Sequence, residues 1–265
     1  MLRTLQLAIG ALWLALAPSG AAIASGCFPV AVLEPRLIPL AYRTAAALPA
    51  GATARLTFLG HSSFLLETAG GATAVTDFNA YLQPPFVPDI VTMNNAHDTH
   101  YTTLVPAEVA HVLRGWNPAG GEAHHDLTHL DLRVRNVPTA VHGRSGPQGN
   151  SNSIFVFEVG DLCIAHLGHL HQVLTDQQLA ELGAIDVVLV PVDGTWTMSH
   201  AEMVEVIRQI GAPVVIPMHY FGSTVLGRFL ALVEGEYRVE LKDTPELLLA
   251  RADLPRKTVI VLPGR

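Results

Sequence analysis

Hydrophobic and polar positions change period along this chain. Ala54 to Leu59 alternates, Ser63 to Thr68 follows, Gly70-Gly71 turns, and Thr73 to Thr76 returns, which predicts a run of antiparallel strands. Asp89 to Met93 is a short apolar strand, and Val105 to Leu113 has the spacing of a helix. Trp116 to Gly121 reads as a loop. Leu130 to Val137 is a strand, and Ser153–Val159 with Leu162–His166 forms a hairpin around Gly160-Asp161. Beyond it the pattern becomes strand–helix–strand. Thr175–Leu182 and Ser199–Ile210 are helices with Thr175 and Ser199 as N-caps, and Val225–Val233 is helical. Ile185–Val190 and Val214–Pro217 read as buried, largely apolar strands, and Thr258–Leu262 as a last strand. Meandering strands followed by strand–helix–strand units predict an α+β fold: an αββα sandwich of two mixed sheets with helices on the outer faces, over residues 54–265. No internal repeat and no separating linker interrupts it.

The first 26 residues have the pattern of an export signal. Arg3 is a short basic start, Leu5 to Ala17 is an apolar stretch short for a bilayer, and Ala22-Ile23-Ala24 is a small-x-small cleavage pattern. Ala24-Ser25-Gly26-Cys27 also resembles a lipobox, which leaves open a lipid on Cys27 as the one route to a membrane. A Pro- and Ala-rich leader, 27–53, then wraps onto the domain. The chain is expected to be periplasmic or secreted, or lipid-anchored. Cys163, inside an apolar strand, reads as a small core residue; a disulfide to Cys27 is open but unsupported by the sequence. The absence of any CxxC excludes a cysteine zinc site.

Composition narrows the partners. With 265 residues, 49% hydrophobic and 15% charged, the chain is long enough for one large domain. A net charge of −7 and 16 Lys plus Arg without a basic run exclude a nucleic-acid groove, so the partner is a small molecule. Association into a homo-oligomer stays open. Gly143-Arg144-Ser145-Gly146 lacks the strand-to-helix setting of an esterase nucleophile.

The chemistry lies in the histidines, of which there are 13. Asn94-Asn95-Ala96-His97-Asp98-Thr99-His100, His142, His166-Leu167-Gly168-His169-Leu170-His171 and Pro217-Met218-His219-Tyr220 each follow a predicted strand. Imidazoles arriving from separate strand ends converge on one point, as a zinc-like ion requires. His61 is expected to order its turn by hydrogen bonds. His166 is expected to be structural and His171 a supporting residue, with Asp77 stabilising a turn or supporting the site. His124, His125 and His129 follow a Gly-rich loop and are assigned to solvent or a supporting role.

These pieces, in this order and spacing, resemble the metallo-β-lactamase-fold hydrolases, in the lactonase-like branch typified by ascorbate-6-phosphate lactonase. Leu59-Gly60-His61-Ser62-Ser63-Phe64 is similar to that branch's opening strand-turn, Pro191 to Met198 to its substrate-pocket segment, and Pro217-Met218-His219-Tyr220 to its last ligand motif. The resemblance implies metal ligands at His97, His100, His142, His169 and His219. It also exposes three departures from the family pattern: Asn95 for the first His of HxHxDH, Thr99 for its Asp, and His169 for the bridging Asp.

Without a bridging carboxylate, two divalent ions would repel, which favours one ion. His97, His142 and His169 would form a tris-imidazole set, with His100 and His219 completing it or holding a second, weaker ion. Nitrogen ligation favours Zn²⁺, with Fe²⁺ or Cu²⁺ open, over Mg²⁺ or Mn²⁺. Asp193 and His200, on the pocket segment, and Thr99 are the candidate catalytic residues. The expected function is hydrolysis of a small ester, lactone or phosphodiester by a metal-activated water. The alternative is a metal-binding pseudoenzyme or lipoprotein on the same scaffold.

Overall fold

The computed structural model describes residues 47–79, 81–143 and 146–264, with a short antiparallel pair earlier, β1 (Ile23–Ala24) and β2 (Ala31–Val32); the side chains of 142–150 lie outside the description. The rest of the export signal, the lipobox and most of the leader also fall outside the described residues. Among the described residues no helix is long and apolar enough to cross a membrane.

Two mixed sheets face each other. The first contains β3 (Ala54–Gly60), β4 (Ser63–Thr68), β5 (Thr73–Val75), β6 (Ile90–Met93), β7 (His111–Arg114) and β15 (Glu246–Leu249), in the order β15-β3-β4-β5-β6-β7. The second contains β8 (Asp126–His129), β9 (Leu132–Gly143), β10 (Gly146–Val159), β11 (Leu162–His166), β12 (Val187–Pro191), β13 (Val214–Met218), β14 (Arg238–Leu241) and β16 (Thr258–Val261), in the order β14-β16-β13-β12-β11-β10-β9-β8. The two-sheet α+β sandwich stands as the sequence predicts.

Strand alternation sorts the core. Ile164, Val187, Leu189, Val214 and Ile216 point between the sheets, where they meet Leu56, Phe58, Phe64 and Leu66. Their neighbours Cys163, Ala165, Val188, Val190 and Val215 point outward, under the helices α1 (Asp176–Leu182), α2 (His200–Ile210) and α3 (Ser223–Val233). Both capping boxes form: Thr175 with Gln178, and Ser199 with Glu202. The helices gather on the eight-stranded sheet. The outer face of the six-stranded sheet is instead covered by loop residues, among them Phe78, Leu82, Phe86, Tyr101 and Trp116. The segment 105–113 is part of that cover and ends in β7 rather than forming the expected helix: Pro106 starts a turn that Val109 closes, and Ile90 and Val91 draw His111 and Val112 into the sheet.

Cys163, 1% exposed, lies in the core as its apolar strand suggests, and it is disulfide-bonded.

One buried ionic clip fastens α1 to the sheet. Arg135 donates to Glu158 at 2.6 Å and to the carbonyls of Glu181 and Leu182 at 2.8 and 2.7 Å, satisfying acceptors that the helix end leaves unpaired. Arg133 holds the other Glu158 oxygen at 3.0 Å. Removing one member of such a buried set leaves the rest uncompensated. Arg135→Ala is therefore expected to lower unfolding free energy by about 3 kcal/mol in urea titration, and Arg135→Lys is expected to recover only part, because lysine lacks the planar fork. An unchanged urea midpoint for Arg135→Ala would contradict the clip.

Candidate metal centre

Parallel strands end on the same side of a sheet, and here both sheets deliver polar residues from those ends. In the eight-stranded sheet, β11, β12 and β13 run parallel and lead to His169, Asp193 and His219. In the six-stranded sheet, β5 and β6 run parallel and lead to Asp77 and to the Asn94–His100 loop. The β3–β4 turn adds His61.

Four imidazoles converge. His100 Nε2 lies 3.2 Å from His219 Nε2 and 3.0 Å from His169 Nδ1. The His61 ring centre is 4.3 Å from that of His219 and 5.1 Å from that of His100. One ligand atom each of His61, His100 and His219 lies within 4.8 Å of the others. His100 and His219 are 0% and 2% exposed.

Carboxylates set the outer nitrogens. Asp77, fully buried, accepts from His100 Nδ1 at 2.7 Å and from the Asn94 backbone N–H at 2.9 Å. Asp193 accepts from His219 Nδ1 at 3.0 Å, from Thr197 Oγ1 at 2.6 Å and from the Thr195 and Trp196 N–H groups. With each Nδ1 proton committed to a carboxylate, Nε2 of both rings is a lone pair, and the two face each other. Such a pair is stable only around a proton or a cation, so this donor set fits a divalent metal ion.

The backbone is held to this purpose. Among the described residues, five non-glycine residues have positive φ, and three belong to the site: His61 at 50°, Asp77 at 46° and His219 at 55°. Each costs on the order of 1–3 kcal/mol and persists only where surrounding bonds enforce it. The His219 N–H donates to the His61 carbonyl at 2.6 Å, locking two of the three together. His169 is aimed by Gly168, at φ +60°, where a Cβ would lie 2.5 Å from the Asn94 side chain, and by its N–H bond to Asn152 at 2.9 Å. His166, fully buried, bonds the Ser62 carbonyl and the Asn94 side chain at 2.7 and 3.1 Å and pins the two sheets beneath the site.

The family model of the beta-lactamase superfamily domain matches residues 55–219. The chain belongs to this superfamily. Within it, a UPF0173 metal-dependent hydrolase of Methanoculleus marisnigri is 34% identical over 187 residues, 63% of this chain and 80% of the relative. A Thermotoga maritima protein described as a Zn-dependent hydrolase of the metallo-β-lactamase superfamily superposes with a TM-score of 0.58 at 29% identity, covering 79% of this chain and all of that one. Igni18, a metallo hydrolase of Ignicoccus hospitalis, shares the fold at a TM-score of 0.54 and 19% identity, over 80% and 96% of the two chains.

Against the superfamily pattern, the structure brings together His100, His169 and His219 from the residues predicted as ligands, and adds His61, expected only to order its turn. His97 sits at the rim: its side chain is 61% exposed, its Nδ1 meets Thr99 Oγ1 at 2.9 Å, and its ring stacks 6.3 Å from that of His169. The side chain of His142, the third member of the predicted tris-imidazole set, lies outside the described residues. Asn95 forms a β-bridge with Asn152. His200 Nε2 contacts the Val192 carbonyl at 2.9 Å, at the start of α2. His171 packs against the His169 ring at 4.8 Å. His124, His125 and His129 contact Glu122, the Arg114 carbonyl and Asp89. The carboxylates Asp77 and Asp193 each follow an apolar strand, the same signal that marks the histidines, and could have been read as their partners.

Electrostatics follow from this geometry. Burial, then His219 and His100, pushes the His61 imidazole down to about 3; burial, then His100 and His219, pushes His169 down to about 2. Burial alone would raise Asp77 and Asp193, but His100 and His219 hold both well below the ordinary carboxylate range. Below about 6.5 an unfolded chain takes up protons that folded His61 and His169 refuse, so acid removes stability there. The depressed carboxylates add stability above 3.8 that disappears as pH falls further, so the sign is the same. The metal-free protein is expected to show a steadily falling urea midpoint from pH 7 to pH 5. A flat or rising midpoint would contradict the buried neutral cluster.

Proposed function

We propose that this protein is an exported metal-dependent hydrolase of a small ester, lactone or phosphodiester, with one cation held by His61, His100, His169 and His219. The facing Nε2 lone pairs of His100 and His219, 3.2 Å apart with both Nδ1 atoms tied to carboxylates, carry this reading. Four neutral nitrogens favour Zn²⁺, with Fe²⁺ or Cu²⁺ next, over oxygen-seeking ions. A divalent cation there supplies Lewis acidity and lowers the pKa of a water it binds. The names of the Methanoculleus and Thermotoga relatives support the same class.

The chain's own residues supply orientation and proton transfer. Asp77 and Asp193 fix the tautomers of His100 and His219, and Asp193 is too fully engaged by hydrogen bonds to exchange protons. His97, exposed at the rim beside Thr99, is placed to carry a proton between substrate and solvent. In metal analysis of the exported protein, one equivalent is expected in wild type and less than a tenth in His100→Ala. His97→Ala is expected to retain the metal while losing about 10²–10⁴ in kcat on ester or lactone substrates. Metal release from His97→Ala would return that residue to the ligand set. Metal binding without turnover of any substrate would favour the pseudoenzyme.

Export is supported by the signal pattern and by the Cys163 disulfide, since such bonds persist in oxidising compartments. The chain has two cysteines, so an intramolecular bridge must use the Cys27 sulfur, the atom a lipid would also need. Intact mass of the exported protein should show no lipid and a gain of about 2 Da on reduction, one proton per sulfur. A lipid-sized mass addition would show the anchored form instead.

A further inference from the structure

We propose that the site selects an uncharged substrate with an apolar acyl or aryl group, and that Phe221, Trp196 and Tyr81 form the rim that receives this group. The proposal rests on the hydrolase reading above and names the substrate class of the same site.

Three large aromatic side chains stand exposed on three loops: Phe221 packs its ring on the histidine cluster, and the backbones of Trp196 and Tyr81 are hydrogen-bonded to Asp193 and Asn79 beside it. Phe221 is 60% exposed, yet its ring packs 5.6 Å from that of His219 and 5.8 Å from that of His61. Gly222, with φ +106°, follows it and starts α3, so the chain turns away directly after placing this ring. Trp196 is 70% exposed, and its backbone N–H is held by Asp193, whose other oxygen holds His219. Tyr81 is 73% exposed, and its N–H donates to Asn79 at 3.0 Å; Asn79 in turn donates to the carbonyls of Asp77 and Thr99. Leaving large rings in water forgoes burial energy, and exposed apolar surface continuous with a polar site is a common signature of ligand recognition.

Charge points the same way. Segments 59–64, 77–79, 81–82, 94–105, 166–173, 192–200 and 219–222 build the site and its rim, and none contains Lys or Arg. Recognition of a phosphate commonly recruits such cations beside a metal. Here the fixed charges are the carboxylates of Asp77, Asp98 and Asp193, which disfavour an anionic substrate. Arg144 follows His142 in sequence and lies outside the described residues, so it enters the test as a variant.

The test uses the zinc-loaded full-length mature protein with p-nitrophenyl acetate, butyrate, hexanoate and octanoate, and with bis(p-nitrophenyl) phosphate. Specificity is expected to rise about two- to four-fold per added methylene, the upper value being the factor for a fully buried one. The phosphodiester is expected to be the poorest substrate. Phe221→Ala and Trp196→Ala are expected to flatten the chain-length dependence and to raise KM for octanoate more than for acetate. Faster turnover of the phosphodiester than of every ester, above all if lost in Arg144→Ala, would overturn the proposal while the hydrolase reading survives. So would the absence of any chain-length effect.

Calorimetric binding of N-phenylhexanamide and phenyl phosphate to the same protein separates the two failures. With no turnover of any substrate, tighter binding of the anilide that weakens at least ten-fold in Phe221→Ala keeps the apolar rim and removes the hydrolase. Equal or weaker binding of the anilide overturns the rim. A dimer that Phe221→Ala converts to monomer in sedimentation also overturns it, because the ring would then be a subunit contact.

Discussion

Two imidazole nitrogens that both carry lone pairs repel at 3.2 Å, and the structure at the site is arranged to hold His100 and His219 in that relation. Asp77 and Asp193 fix the tautomers from behind, and burial keeps the neighbouring rings of His61 and His169 neutral. Both effects leave electron pairs directed at one place. A divalent cation held by these rings would convert that repulsion into coordination, and the carboxylates would offset its charge from behind the imidazoles. In the proposed site, two carboxylates acting through imidazoles would take the charge-balancing role of a bridging carboxylate around a single ion.

This requirement explains the strained backbone. His61, Asp77 and His219 occupy left-handed conformations that bulky side chains avoid, and the His219–His61 backbone bond holds two of them there. The sandwich supplies the rigidity. Apolar strands buried on both faces carry His169, Asp193 and His219 from one sheet, while the other sheet carries His61, Asp77 and His100. His166, bonded to Ser62 and Asn94, ties those two sources together.

The fold was legible where the hydrophobic period was strong. The apolar strands β12 and β13, the hairpin strand β11 and the capped helices α1 and α2 lie where their patterns place them, to within a residue or two. The strands β8, β14 and β15 were not legible: they are short edge or near-edge segments with exposed polar positions, ordered by pairing with β9, β16 and β3. The segment 105–113 shows apolar spacing because it packs onto a sheet face, and spacing alone does not separate that from a helix. At the site, the family resemblance, laid on histidines that follow strand ends, pointed to His100, His169 and His219, which the structure brings together. The roles of His61 and His97 were not legible, because a one-residue difference in a turn decides whether a ring faces inward or the solvent, and that depends on φ at His61 and on the Thr99 contact of His97.

The central claim is one cation in a four-histidine cage, and X-ray absorption on the zinc-loaded protein tests it most directly. The account predicts four nitrogen or oxygen neighbours at roughly 2.0–2.1 Å, dominated by imidazole scattering, no metal–metal vector, and loss of one imidazole shell in His61→Ala. A metal–metal vector, or a spectrum unchanged in His61→Ala but altered in His97→Ala, would contradict it.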